Sequence, residues 1–149
     1  MGRGRGGYTG YETSYKDSGG KKVTDKGSIF VAERYIDQGY ESVFRQTHPP
    51  EKSYDLSIKS ADDSTFIKNI EVKRVTSEKP PELAKNIKKG FSQFKPGYED
   101  TVAIVLPNHK NDEAGRKLAQ EGFAEAKRKG WVKGKVEVWF SDKTKIDLE

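Results

Sequence analysis

Apolar residues recur with the spacing of one helix face near the start of the chain, and this pattern predicts an amphipathic helix. Ser28 is a suitable N-cap, and Gly39 is a suitable residue to end the helix. The carboxylate of Glu33 falls on the apolar stripe of this helix instead of on its polar side. The stripe contains Ile29, Ala32, Glu33 and Ile36.

Two further helices follow from the same periodicity. One opens at Pro80 and Pro81, stops before Pro96 and Gly97, and carries an apolar stripe. The other runs over about 112–129 and ends at Gly130. The predicted inward residues are Leu83, Ile87, Phe91 and Phe94 in the former, and Ala114, Leu118, Phe123 and Ala126 in the latter.

Strand-like runs lie between the helices, over 42–47, 54–59, 66–75 and 101–106, and a last run over 135–141 follows the third helix. In the second run Tyr54, Leu56 and Ile58 should point one way and Asp55 the other, because side chains alternate along a strand. The run 101–106 is continuously apolar, as expected of a strand that is covered on both faces. The predicted order is α-β-β-β-α-β-α-β, which indicates an α/β fold on a mixed sheet with a right-handed crossover.

The first 27 residues differ from the rest of the chain. They are rich in glycine and tyrosine and contain a single aliphatic β-former, Val23. Such a segment buries too little apolar surface to offset its ordering entropy. We therefore expect residues 1–27 to be a flexible lead-in or linker and residues 28–149 to form one domain.

Composition narrows the function classes. The chain has 149 residues, of which 32% are hydrophobic and 34% are charged, and it has no cysteine and two histidines. Disulfides, thiolate zinc sites and cysteine nucleophiles are thereby excluded, and no apolar run is long enough for a membrane span or a signal peptide. We expect a soluble chain whose export, if any, depends on other segments. The formal charge of +5 is compatible with a polyanionic partner such as nucleic acid.

The candidate chemistry lies in the predicted hairpin over 54–75. If its loop has three or five residues centred on Asp63, Asp55 lies directly opposite Glu71, and Lys73 projects from the same face. Two facing carboxylates repel unless a cation lies between them, and oxygen ligands suit Mg²⁺ or Mn²⁺, with Zn²⁺ as a further possibility. Such a cation neutralises a phosphate oxygen and lowers the pKa of water, and a lysine stabilises growing negative charge.

These residues resemble the signature of the PD-(D/E)xK nuclease superfamily. Asp55 and the later Glu71-Val72-Lys73 match its motif, although Tyr54 stands where the motif has proline. The α-β-β-β-α-β order over residues 28–106 resembles the restriction-endonuclease-like core, here with an added C-terminal α-β. The resemblance implies that Asp55 and Glu71 bind metal, that Lys73 assists catalysis and that Glu33 supplies a further ligand. It also implies that Gln93 lies near the site.

A narrower resemblance is to C-terminal nuclease toxin domains of contact-dependent growth inhibition systems. A basic nuclease behind a glycine-rich lead-in is similar to those toxins, several of which cut tRNA. The resemblance implies a domain of a larger secreted effector that acts in the cytoplasm of a target cell. It also implies a cognate immunity protein, which we expect to be acidic because it must cover a surface that binds phosphate.

Three other functions fit the same sequence. A DNA endonuclease would use the same carboxylates. A metal-independent RNase would use His48 and His109 as general base and acid. A non-catalytic nucleic-acid-binding domain would use the basic helices, whose candidate contact residues are Lys85, Lys88, Lys89, Gln93 and Lys95 on one helix and Arg116, Lys117, Lys127 and Arg128 on the other.

Overall fold

The computed structural model describes residues 15–46 and 53–149. These residues form three helices and six strands. In chain order they are α1 (Lys26–Asp37), β1 (Tyr40–Phe44), β2 (Leu56–Ser60), β3 (Phe66–Arg74), α2 (Pro80–Phe91), β4 (Thr101–Leu106), α3 (Glu113–Arg128), β5 (Lys135–Phe140) and β6 (Lys145–Leu148).

The six strands form one mixed sheet in the order β1-β2-β3-β4-β5-β6. The front half, β1 to β3, is antiparallel, whereas β3, β4 and β5 run parallel and β6 returns antiparallel. The prediction of an α/β fold on a mixed sheet is confirmed. Strand β6 was not predicted, because the alternation of its Lys-Ile-Asp-Leu sequence extends over only four residues, too few to separate a strand from chance.

Helices cover the sheet on both faces. Both crossover helices, α2 and α3, pack on one face, against the buried Val102 and Ile104 of β4. The first helix, α1, packs on the other face, against Ile70 and Val72 of β3. Because side chains alternate along β3, residues 71 and 73 project to the face that carries α2 and α3.

The start of α1 differs from the prediction. Its N-cap is Asp25, whose Oδ2 accepts a hydrogen bond from the Ser28 N–H at 2.8 Å, so Ser28 lies inside the helix. Its end agrees with the prediction, since Gly39 follows the helix with a positive φ of 95°. A β-carbon on Gly27 would lie 3.1 Å from Val72 Cγ1, and glycine thus allows the first turn to lie close to β3.

The apolar stripe of α1 is also rotated by about one residue from the predicted one. The buried positions on the helix are Gly27, Ser28, Val31, Ala32 and Tyr35. Of the predicted stripe, only Ala32 is buried, and Glu33 is half-buried at the margin of the packed face. The prediction was wrong because Ile29 and Ile36 also fit a helical repeat, and periodicity alone did not choose between the two stripes.

Ordered structure extends before the predicted domain boundary at Ser28. A bridge between Lys16 and Lys22 closes a turn, and the Tyr15 ring lies 5.1 Å from the Phe44 ring. Val23, the single aliphatic β-former noted above, packs against the core on the α1 side. The described part of the predicted lead-in therefore contacts the domain, and residues 1–14 lie outside the described structure.

A buried polar network joins α1 to β5, on the face of the sheet that α1 covers. Glu137 of β5 is 1% exposed, and its carboxylate accepts hydrogen bonds from the Tyr35 hydroxyl at 2.7 and 2.9 Å and from Trp139 Nε1 at 3.2 Å. The ammonium groups of Lys68 and Lys145 lie 3.5 and 3.7 Å from the same carboxylate. These donors compensate the desolvation of Glu137 and fix the position of α1.

None of the helices in the described part of the chain combines the length and hydrophobicity that crossing a bilayer requires.

Candidate active site

The register of the β2–β3 hairpin places the predicted residues together. Leu56 pairs with Ile70, and the next two pairs of the ladder keep the predicted register. A bulge after Ile58 then pairs Lys59 with Phe66, so the turn occupies residues 61–64 and the predicted loop centred on Asp63 is wrong. The register next to Asp55 is nevertheless the one that the prediction required.

Asp55 lies at the entrance to β2. Its backbone N–H donates to Ile70 O at 3.0 Å, and its side-chain Oδ2 accepts the Val72 N–H at 2.8 Å. The Asp55 side chain thus accepts a backbone N–H of β3 that a strand residue would otherwise bind. This hydrogen bond holds the Asp55 carboxyl group near Glu71. Tyr54 does not continue the predicted alternation, because its ring packs on the α2 side, stacked on Phe94 at 5.5 Å.

Glu71 is the most buried member of the site, with 5% of its surface exposed. It pairs with Val102 of β4 in the middle of the sheet, beneath α2. Gly90 allows α2 to approach β4 closely, since a β-carbon at this position would lie 2.8 Å from Val102 Cγ2. The Oε1 atom of Glu71 is buried and accepts no hydrogen bond from the described residues.

Lys73 completes the carboxylate–lysine site, which consists of Asp55, Glu71 and Lys73. Its Nζ lies 3.4 Å from Glu71 Oε2, and about a quarter of its side chain is exposed (26%). The ammonium group therefore has one side against the carboxylates and another that a ligand can reach.

The pKa values of the two carboxyl groups reflect their crowding. Burial raises the pKa of Glu71 to about 9, and the negative charge of Asp55 adds to this effect while Lys73 opposes it. Burial also raises the pKa of Asp55, although the hydrogen bond from Val72 N–H opposes the shift. The crowding of the two carboxyl groups thus favours the protonated form of Glu71.

These features fit a divalent cation. A cation held by the two carboxyl groups would take the place of the Glu71 proton, cancel the repulsion between Asp55 and Glu71, and give Glu71 Oε1 a partner. Within residues 15–46 and 53–149, no group of three or more Asp, Glu, His or Cys side chains is arranged to hold a metal. Asp55 and Glu71 would therefore hold it as a pair, and Mg²⁺ commonly takes one or two protein carboxylates with water and substrate phosphate as its other ligands.

Glu33 does not join this pair. It belongs to α1, which packs on the opposite face of the sheet, and its Oε2 accepts a hydrogen bond from the Tyr15 hydroxyl at 3.1 Å. Its Oε1 lies 3.9 Å from Arg34. Among the described residues, the structure does not group Glu33 with Asp55 and Glu71, and this placement does not support its predicted role as a metal ligand.

The predicted nucleic-acid contacts divide into two groups. Gln93 and Lys95 line a cavity with Asn69, on the same side of β3 as the carboxylate–lysine site. Lys85, Lys88 and Lys89 line another groove of α2 beside Trp131, and Lys88 Nζ lies 4.9 Å from the centre of that indole ring. The three lysines are exposed, and neither Asp55 nor Glu71 lines their groove.

Only one of the two histidines falls in the described structure. His109 Nε2 lies 2.7 Å from Glu78 Oε1, at the loops that follow β4 and β3. His48 lies outside the described residues, and the proposed histidine pair is therefore not tested.

Sequence reasoning missed two neighbours of the site. The charge of Asp25 contributes to the raised pKa of Asp55, and no sequence pattern linked Asp25 to the hairpin. Asn69 lies two residues before Glu71 on the same strand face, and the Ser57 hydroxyl donates to its Oδ1 at 2.8 Å. The alternation of side chains along β3 was sufficient to find Asn69, because residues 69, 71 and 73 project from the same face of the strand.

No protein-family model, curated protein or solved structure matches the chain. The interpretation of the site therefore rests on its own geometry and on the resemblance of its motif.

Proposed function

We propose that this protein is a metal-dependent nuclease that hydrolyses phosphodiester bonds at Asp55, Glu71 and Lys73. The observation that carries the proposal is the buried Glu71 carboxyl group, which faces Asp55 and has an oxygen without a hydrogen-bond donor among the described residues. A structural ion pair with Lys73 alone would not require a second buried carboxyl group beside it. A site for a divalent cation accounts for both carboxyl groups.

The chemistry divides among the three residues. Asp55 and Glu71 would hold Mg²⁺ or Mn²⁺, which supplies charge neutralisation at the phosphate and a more acidic water. Water attacks phosphorus, the bond to the leaving sugar oxygen breaks, and that oxygen takes up a proton. The Lys73 ammonium group, 3.4 Å from Glu71 Oε2, stabilises the charge that grows on the phosphate oxygens.

The substrate we favour is RNA, and tRNA in particular. The support is the resemblance to growth-inhibition toxins, together with the exposed lysines of α2 and the formal charge of +5. In that setting the domain would act in the cytoplasm of a target cell and would bind a cognate acidic immunity protein. DNA is the alternative substrate, because the same residues hydrolyse either phosphodiester.

Replacement of Lys73 tests the assignment. Lys73→Ala should lower the cleavage rate by roughly 100-fold or more, as the loss of one transition-state donor does elsewhere, while substrate binding changes less. The matched control is Lys135→Ala, which removes an exposed lysine from the start of β5. The measurement is single-turnover cleavage of a labelled tRNA in Mg²⁺. A Lys73→Ala variant that cleaves as fast as the control would remove Lys73 from the mechanism.

A further inference from the structure

A cavity of about 450 Å³ lies beside the carboxylate–lysine site. Two residues that line the cavity lie close in sequence to the carboxylate–lysine site. Tyr54, in the wall of the cavity, directly precedes Asp55, and Asn69 lies two residues before Glu71 on the same face of β3. Two residues of a strand span about 6.8 Å, so the cavity lies one side-chain repeat from the carboxylates.

Aromatic rings line this cavity. Tyr98 is 77% exposed and Phe66 is 52% exposed, and with Ile67 they are the exposed large hydrophobic residues of the described chain. The Tyr54 ring stacks on Phe94 with an interplanar angle of 18° and forms a rigid wall. Exposed aromatic rings that line a cavity indicate a binding site, and their flat apolar faces suit the stacking of a nucleobase.

Amide groups in the cavity are positioned to bind a base edge. The Ser57 hydroxyl donates to Asn69 Oδ1 at 2.8 Å, so Asn69 Nδ2 is the group of this amide that can donate to a ligand, and Gln93 lines the same cavity. The Asp100 carboxylate is already used, since it accepts hydrogen bonds from Asn69 N and from the Thr101 hydroxyl, both at 2.9 Å. Carboxamides can donate to and accept from the edges of bases that are not paired.

The ammonium group of Lys95 adds positive charge to the lining of the cavity. Lys95 is exposed at its rim, next to the turn that carries Tyr98. Rings for a base, amides for its edge and an ammonium group for a phosphate are together what a single nucleotide requires. This combination distinguishes the cavity from the groove beside Trp131, where the indole ring already has Lys88 and Lys129 about 5 Å from its centre (4.9 and 5.0 Å).

We propose that this cavity binds one unpaired nucleobase next to the phosphodiester that is cut, and that the substrate is therefore a single-stranded segment. The proposal rests on the proposed nuclease function and adds the substrate class to it. A base within a duplex has its faces stacked and its edge paired, and it would have to be flipped out at an energetic cost before it could enter.

The test measures binding of a fluorescein-labelled single-stranded RNA oligonucleotide by anisotropy, in EDTA so that no cleavage occurs. Tyr98→Ala and Phe66→Ala should each weaken binding by roughly tenfold, the range expected for the loss of one stacking ring. Ile67→Ala is the matched control, because it removes an exposed apolar side chain of β3 that does not line the cavity. It should bind within about twofold of the wild type. A duplex of the same sequence should bind more weakly and should not respond to either aromatic substitution.

The proposal is overturned if the wild type does not prefer the single strand, or if both aromatic variants bind it as tightly as Ile67→Ala. The cleavage assay separates this outcome from failure of the nuclease proposal. A protein that cuts duplex and single strand equally well in Mg²⁺ remains a nuclease without this base pocket. A protein that binds single strands through Tyr98 but cuts nothing retains the pocket and loses the nuclease function.

Discussion

At the residue scale, the buried carboxyl group of Glu71 costs free energy in the metal-free protein. Its pKa of about 9 means that the folded protein keeps a proton there at neutral pH, whereas the ordinary value of 4.5 means that the unfolded chain has released it. The folded state thus binds more protons than the unfolded state between these two pKa values, and stability falls as pH rises through that window. A cation would remove this cost by taking the place of the proton.

Glu71→Gln tests this electrostatic description independently of catalysis. In EDTA, the melting temperature of the wild type should fall between pH 5.5 and pH 8, whereas the variant should fall less because it carries no proton to lose. At pH 8, added Mg²⁺ should raise the melting temperature of the wild type and leave that of Glu71→Gln nearly unchanged. Thermal unfolding followed by circular dichroism measures both effects. Parallel curves for the two proteins at every pH and metal concentration would contradict the account.

At the element scale, the alternation of β3 and the register of the β2–β3 hairpin were enough to bring Asp55, Glu71 and Lys73 together from sequence. The placement of α1 was not predictable in the same way. Local periodicity fixes which residues share a helix face, but the choice between two overlapping stripes depends on tertiary contacts such as the bond between Tyr35 and Glu137. That hydrogen bond joins residues 102 positions apart, and it therefore cannot be predicted from the local sequence pattern.

The bulge in the hairpin illustrates the same limit. The prediction assumed an uninterrupted ladder and an odd loop, whereas the structure shifts the pairing by one residue after Ile58. The predicted position of Asp55 opposite Glu71 is not affected, because the bulge lies between Leu56 and the turn. The pairing from Ile58 back to Leu56 keeps the predicted register.

The position of α1 yields a prediction that departs from the family resemblance. Because Glu33 lies on the opposite face from Glu71 and bonds to Tyr15, Glu33→Gln should cleave RNA at nearly the wild-type rate. Asp55→Asn is the comparison variant, since it alters a carboxyl group of the site and should cleave at least about 100-fold more slowly. Initial rates on one labelled tRNA measure the contrast. Equal losses in the two variants would place Glu33 in the site after all.

At the scale of the whole molecule, the exposed lysines of α2 and the cavity beside the carboxylate–lysine site lie on the helix-covered face of the sheet that carries Glu71. Phosphate contacts made by such lysines depend strongly on salt, because binding releases counterions. The same surface would attract an acidic protein, and opposite charge speeds such association.

Expression of the chain in bacteria without a partner tests the toxin interpretation. The wild type should arrest growth, and Lys73→Ala should relieve the arrest at the same level of protein, because only cleavage is removed. Culture density after induction, with immunoblots for protein level, gives the result. Healthy growth with abundant wild-type protein would contradict the toxin and its immunity partner, and would leave the nuclease proposal to be judged separately.

We propose that Asp55 and Glu71 hold a divalent cation for phosphodiester hydrolysis. The most direct measurement incubates the purified protein with total RNA and with plasmid DNA, in EDTA and then with Mg²⁺ or Mn²⁺ in excess. We expect no cleavage in EDTA, and cleavage, preferentially of RNA, once metal is restored. Full cleavage in EDTA, or none of either substrate with metal present, would contradict it.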